Sequence, residues 1–509
     1  MVEGSTSRKS WFAIPESMGG YVATFMLATI VVLMVTMALL VIVFLASIGG
    51  EKENTAKDVF NKDYSDLLDR EAPGADLSAI TPTGKVTAAT TTHPSPRPTP
   101  RTPTPRPPTA APTPTTARTT TRKARSLLSG SLLCTLGAID FSGTFIYPLD
   151  GVCDLIIFDS LFVAGGNTLR PPYNADFQTF LDTANGHRIT AYGIGIDHSF
   201  CRNQDRMSDL LGNPKTKKTL DDMWSKRIHH YGQVNTPVMQ ASSNPLEYVT
   251  QSARGLQMIS QLVRDKAVSE GTPSYTVLHY PLMFESMAAG VAQALKNYAV
   301  DILVAIGYTS YTDYGTKDCR MVPPVLHSDE LLEPSLLNTS YPVRLVRVVS
   351  ALAKLKKEQA VTSAIAVSFG MGGRWYTPKN PDSLPDAPEN STLGQPCMTS
   401  SQGGGPYGRQ ITSIGEACPR FKSNFSYDET FQADVAYSRS ENVLFTFEDS
   451  ASFRYKLYDT KGIDTELPYN IAADNIQYED FTGVCGGGPY NRLRYIKMLA
   501  GFKGTISTK

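Results

Sequence analysis

The residue types in this chain that could do chemistry cluster where apolar runs end. His279 sits near the close of "SYTVLHYPL" (Ser274 to Leu282). With an unperturbed pKa near ~6.5 it could donate a proton. A lone His on an apolar strand is more often a hydrogen-bonded core residue, and the segment has no carboxylate to work beside it. Glu285 lies past the strand end, where helix capping or solvent exposure accounts for it. Asp197-His198 with Cys201 supplies ligand and nucleophile types, yet neighbours on a strand point to opposite faces and no second ligand pair at metal spacing follows. No metal and no cofactor is expected. "GGGPYG" and "CGGGPYN" are Gly-rich, but neither opens a helix after a strand with phosphate-cradling spacing, so both read as loops. Tyr308, Arg374, Trp375 and Tyr376 could line a groove, since aromatics stack on sugar faces and Arg donates to hydroxyls. Ordinary packing around a barrel rim explains them equally well.

The elements that must position these residues read as repeated β-then-α units. Apolar runs at Leu132–Ala138, Cys153–Val163, Arg188–Ile196, Ser274–Leu278, Val300–Tyr308, Ala364–Phe369, Val443–Phe447 and Tyr469–Ile476 suit strands covered on both faces. Helical spacing falls between most of them, at Ala175–Thr183, Ser286–Tyr298, Val343–Lys356 and Ser450–Thr460. Asn244, Pro245 and Glu247 supply an N-cap, a first-turn proline and a reciprocal partner for another helix. Eight strands over roughly 380 residues predict a (β/α)8 TIM barrel with insertions at 131–509. Periodicity alone also allows a doubly wound open sheet.

Residues 21–48 carry no charge and exceed the roughly 20 residues that cross a bilayer. The run is too long for a cleaved signal peptide. Arg8 and Lys9 precede it and Glu51, Lys52 and Glu53 follow, so the positive-inside tendency puts the tail 1–20 in the cytosol and the rest outside. A single-pass type II anchor is expected, with the barrel extracellular or luminal. Residues 49–130 form a stalk, Thr/Pro-rich at 81–121, whose composition favours an extended, O-glycosylated or bare spacer over a packed core. Arg122-Lys123-Ala124-Arg125 offers a basic processing site, so shedding after Arg125 is a further expectation. Asn338, Asn390 and Asn424 begin N-glycosylation sequons. All seven cysteines fall on the outward side, where disulfides persist, and the odd count leaves at least one free thiol or an intermolecular bond. Formal net charge is +0 without a basic stripe, which argues against a nucleic-acid partner.

From about Leu132 to Lys497 the chain resembles glycoside hydrolase family 18, the chitinases and chitinase-like lectins. "LLCTLGA" with "DGVCDLIIFDSLFV" is similar to the family's first two strands, each with a cysteine, which implies a Cys134–Cys153 bridge. "AYGIGI" stands where the family has Ser-x-Gly-Gly, and "VDILVAIGYT" resembles the strand ending Met-x-Tyr-Asp, with Tyr308 kept and Thr309 in place of the aspartate. "VSFGMGGRWYTP", "LFTFEDSASFRYKLYDT" and "QYEDFTGVCGGGPYNRLRYI" match later family segments; with "IGEAC" upstream, the last implies a Cys418–Cys485 bridge.

The resemblance also implies what is missing. Family enzymes carry Asp-x-x-Asp-x-Asp-x-Glu on the fourth strand, often followed by Tyr-Pro. Anchoring on Tyr280-Pro281 places Thr272, Tyr275, Val277 and His279 at the four carboxylate positions, and Asp474 at the family's sugar-floor Trp. In active members the glutamate protonates the glycosidic oxygen while the neighbouring aspartate supports the substrate's acetamide. The reading is a pseudoenzyme: a non-catalytic binding or interaction module displayed at a membrane. Three alternatives stand beside it: a lectin for N-acetylglucosamine polymers or a similar chitin-like glycan, an active glycosidase with displaced carboxylates, and a structural or adhesive surface protein with a protein partner.

Overall fold

The computed structural model describes Leu127 and residues 130–137, 145–159 and 173–501, except 235, 239–240, 242–243, 310–317, 385–391, 400–409, 422–423 and 464–466. The expected tail, anchor, nearly all of the stalk, the basic processing site and Asn390 lie outside the described residues. No described helix is long and apolar enough to cross a membrane.

Short runs of branched and aliphatic residues make the barrel strands: β1 (Leu132–Leu136), β2 (Leu155–Phe158), β3 (Ala191–Gly195), β4 (Ile228–Gln233), β5 (Thr276–Tyr280), β6 (Ile302–Ile306) and β7 (Ala364–Gly370). After an inserted sheet β8 (Gly373–Tyr376), β9 (Ile411–Thr412), β10 (Ser426–Asp428), β11 (Ala433–Ser438) and β12 (Val443–Phe447), the barrel finishes with β13 (Asn470–Asp474). Pairing runs β1-β13-β7-β6-β5-β4-β3-β2 and closes, so the open doubly wound sheet is ruled out. Side chains alternate across the wall with the strand period of two. Leu133, Leu155, Val277, Ile302 and Ala366 pack inside, whereas Cys134, Ile156, Leu278, Leu303 and Val367 face the helical layer.

That layer comprises α1 (Ala175–Gly186), α2 (His198–Cys201), α3 (Gln204–Gly212), α4 (Pro214–Ser225), α5 (Pro245–Glu270), α6 (Ala288–Asn297), α7 (Pro334–Thr339), α8 (Leu345–Lys357), α10 (Ser450–Ile463) and α11 (Asn491–Gly501), with α9 (Ile414–Phe421) in the insertion. The start of α5 is as the sequence predicts: Pro245 opens it, the Asn244 side chain accepts from the Glu247 N–H, and Asn244 Nδ2 donates to Glu247 Oε2 at 2.7 Å. Gly271, at φ +61, ends it in the left-handed region that glycine adopts without strain.

Two strand assignments need correction. Val443–Phe447 is β12, antiparallel to both β11 and β8 in the inserted sheet, not a barrel strand. Leu444 packs in one cluster and Phe445 and Phe447 in another. A strand buried on both faces has the composition of a barrel strand wherever it lies. The barrel strand left unread is β4, "IHHYGQ", which has neither an apolar run nor clean alternation.

Both implied disulfides are present, Cys134–Cys153 and Cys418–Cys485, and a third joins Cys319 to Cys397. The odd thiol is Cys201, buried in α2.

A buried ionic cluster seats the inserted sheet on the barrel. Glu448, between β12 and α10, pairs with Lys456 of α10 at 2.6 Å, and both are fully buried. The Val325 N–H donates to Glu448 Oε1 and its carbonyl accepts from Lys456 Nζ. Arg492 of α11 pairs with Glu479 and donates to the Glu448 carbonyl. Removing one member strands a buried charge. Glu448→Gln or Lys456→Met alone should therefore cost about 3–5 kcal/mol in urea unfolding, while Glu448→Leu with Lys456→Met should recover most of that loss.

Candidate functional site

Alternation along β5 turns Val277 and His279 into the barrel and Leu278 and Tyr280 outward. His279 reaches across the interior, its Nδ1 lying 3.4 Å from Oδ2 of Asp474 at the end of β13, with side chains 1% and 2% exposed. Thr135 of β1 donates to Asp474 Oδ1 at 3.2 Å, and Ser368 and Tyr308 lie near this carboxylate. Burial by itself would raise the Asp474 pKa. Attraction to His279 and the polar groups of His279, Ser368 and Tyr308 around it outweigh this, leaving the group below the ordinary carboxylate range. Beneath β5, Thr236 Oγ1 donates to the His279 carbonyl at 2.6 Å and accepts from Gln233 Nε2 at 2.8 Å. A polar layer thus joins β1, β4, β5, β7 and β13 at their carboxyl ends.

The barrel order moves the family's motif position. Thr276–Tyr280 is the fifth strand, so Thr272, Tyr275, Val277 and His279 are not on the fourth; that strand is β4. The pair Tyr280-Pro281, which follows an apolar strand here too, imitated the motif's ending. On β4 and one residue past it, those turned inward are His230, Gly232 and Val234. A Cβ on Gly232 would lie 3.3 Å from Ile157 of the inner cluster, which also holds Val234. His230 stacks on Tyr275, rings 5.4 Å apart and 10° from parallel. Its Nδ1 accepts from the Tyr275 N–H at 3.1 Å, and burial pushes its pKa down to about 3, so it is neutral at pH 7. From Arg227 to Val234 there is no carboxylate.

Glu285 opens a 3-10 turn outside the barrel and pairs with Lys354 of α8 at 3.7 Å. Asp159, after β2, is a further buried carboxylate at a strand end. Sequence reading missed it, together with Ser368, Thr135 and the His230–Tyr275 stack. Strand parity was the available signal for all of them, but it required the correct fourth strand first.

Tyr308, Arg374, Trp375 and Tyr376 do not line an open groove as placed: all four are buried. Alternation on β8 sends Trp375 to the opposite face from its two neighbours. There it packs on Phe421 and Phe445 and donates to Thr412 Oγ1. Arg374 Nε donates to Tyr376 Oη, which donates to the Val322 carbonyl. Among the described residues no cluster of three or more His, Cys, Asp or Glu side chains converges in a way that could hold a metal. Asp197 accepts from the Ser199 N–H at the start of α2. Asn338 and Asn424 are exposed.

Asp474's folded pKa lies below its unfolded value, so its contribution to stability is present above about pH 4 and is lost as pH falls through the folded value. Asp474→Asn should flatten the acid side of the stability curve below about pH 4, read by urea midpoints from pH 3 to 7.

No family model and no curated protein matches the sequence. Solved structures match in fold. The immunomodulatory active chitinase of Trichuris suis is 11% identical, with 73% of this chain and 100% of that one covered at TM-score 0.51. The group IV chitinase of Ostrinia furnacalis in complex with allosamidin is 13% identical over 72% and 98%, at TM-score 0.52. A mutant class V chitinase of Nicotiana tobaccum in complex with NAG4 is 12% identical over 74% and 99%, at TM-score 0.50. The described region of this chain therefore has the eight-stranded parallel (β/α)8 fold of the chitinases.

Proposed function

We propose that this chain is a single-pass type II membrane protein that displays a catalytically degenerate family 18-like barrel as a binding module. The observation that carries the reading is the inner face of β4, where His230, Gly232 and Val234 stand in a strand without any carboxylate. The strand-end interior is instead packed by His279, Asp474, Ser368 and Thr135, each almost wholly buried. A positioned general acid is worth about 10²–10⁴ in rate, and the acetamide-supporting aspartate is missing with it. Residues 21–48 would anchor the chain and 49–130 would hold the barrel away from the bilayer.

A second reading, a carbohydrate lectin, is favoured by a surface feature away from the strand ends. On the outer wall between α10 and α11, Tyr455, Tyr458, Tyr495 and Arg454 line a groove of about 500 Å³. Tyr455 and Tyr458 are 44% and 49% exposed, which offers ring faces for stacking on pyranose. One relative in fold was solved in complex with NAG4.

The intact chain, assayed in detergent on a chromogenic chitobioside, should show no turnover above background from pH 3 to 8. Turnover abolished by Asp474→Asn or His279→Ala would overturn the pseudoenzyme reading. On a glycan array, binding that falls about tenfold in Tyr455→Ala/Tyr458→Ala would establish the lectin reading. Binding unchanged by that double variant would remove the groove from it.

A further inference from the structure

At the end of the barrel where β4 and β5 finish, a groove of about 490 Å³ opens between the start of α5, the turn that leads from β5 into α6, and the end of α7. Its volume falls in the range of small-molecule sites, about 300–1,000 Å³. The topology makes it. α5 begins at Pro245 and α6 follows Met287, and the two helices start close enough together that a Cβ on Gly290 would lie 3.6 Å from the Leu246 Cβ. Met283 and Met287 are buried in the lining, Phe284 is half-buried and Leu246 is exposed. No described residue that lines the groove carries a charge.

Asn338, exposed in the last turn of α7, is part of the same lining, and it begins the sequon Asn338-Thr339-Ser340. The fold sets the orientation of its amide. Arg344, fully buried and paired with Asp329 at 2.7 Å, donates from Nη1 to the Leu337 carbonyl at 2.7 Å and from Nη2 to Asn338 Oδ1 at 3.3 Å. A guanidinium has donors and no acceptor, so the amide atom that it meets is the oxygen. Nδ2, the atom that takes a sugar, is the other end of that amide.

The covalent chemistry of the barrel fits the compartment in which sequons are read. Its three disulfides, Cys134–Cys153, Cys319–Cys397 and Cys418–Cys485, belong to an oxidising environment. Asn-x-Ser/Thr acceptors receive sugar in that same setting.

We propose that Asn338 carries an N-linked glycan whose core N-acetylglucosamine residues fold back into this groove. The bond forms on the nascent chain. Asn338 Nδ2 attacks C1 of the reducing-end sugar of a polyprenyl pyrophosphate-linked oligosaccharide, the C1–O bond breaks, polyprenyl pyrophosphate leaves with the bonding pair, and the amide gives up one proton. In the folded chain the uncharged lining suits an uncharged sugar. The C–H face of a pyranose packs against Leu246 and Phe284, and the acetamide methyl group against the Met283 and Met287 side chains, whose flexibility lets them fit an irregular shape. The link to Asn338 holds the sugar at an effective concentration on the order of mM, so contacts too weak to capture a free sugar suffice to seat a tethered one. The inference rests on the outward orientation of the barrel in the proposed topology.

The test uses the full chain expressed in a eukaryotic secretory host that adds high-mannose glycans, purified in detergent. Peptide mass spectrometry should find sugar on Asn338. An endoglycosidase that cuts within the N-acetylglucosamine core should then act on the native parent protein at Asn338 about tenfold more slowly than on Leu246→Arg, which sets a long charged side chain in the groove, or on Ser286→Trp, which fills it from the α6 side. All three should be cut at one rate after denaturation. Ser286→Ala, at the same place without the bulk, should keep the slow rate of the parent. Equal native rates in the parent and in both filling variants overturn the proposal, and so does a fast rate in Ser286→Ala. Protease digestion of sealed microsomes tests the orientation separately. A protected barrel without sugar on Asn338 keeps the outward orientation and refutes the glycan, whereas a digested barrel refutes both.

Discussion

One buried carboxylate sets the terms for the strand-end face of this barrel. Asp474 has lost nearly all contact with water, and a charge in that position is tolerable only where polar groups of the protein replace the solvent it gave up. Thr135 donates to it, His279 lies 3.4 Å away and Ser368 and Tyr308 lie near it, and these four come from four different strands or strand ends. Burial of Asp474 among these groups closes the barrel interior at this level. A hydrolase on the same scaffold needs the opposite, a wet cleft at the strand ends where an acid can meet a glycosidic oxygen. The physical requirement of the carboxylate and the requirement of the chemistry compete for the same space.

The inserted sheet adds a second constraint of the same kind. Glu448 and Lys456 satisfy each other at 2.6 Å and share Val325, while Arg492 ties the Glu448 backbone to Glu479. Such a cluster tolerates little sliding, because any shift strands a charge. The sheet that carries Arg374, Trp375 and Tyr376 is therefore held in one position, and its aromatic residues are spent on its own two faces.

Much of the fold was legible because its determinants are local. The caps at Asn244 and Pro245, the branched runs of β2 and β6 and the helix-strand rhythm need no tertiary information. The implied bridges Cys134–Cys153 and Cys418–Cys485 came from resemblance and are present. What misled was burial without identity. "VLFTF" is covered on both faces in the inserted sheet as a barrel strand is covered in the wall, so composition could not separate them. β4 is the converse: His230 earns a place inside the barrel by stacking on Tyr275, and Gly232 by the closeness of Ile157, neither of which a periodicity reads. The number of strands came out right through one false strand and one missed strand. Once β4 is counted, the fourth strand is Ile228–Gln233, which carries no carboxylate. The Asp474–His279 contact joins residues 195 positions apart (474 − 279) across the barrel, and only the closed topology reveals it.

The most direct measurement is a crystal structure of the intact chain soaked with the N-acetylglucosamine tetramer. The account predicts His279 still packed against Asp474 with no sugar ring between the strand ends. A sugar seated inside the barrel, in contact with Asp474 or Asp159, would contradict it.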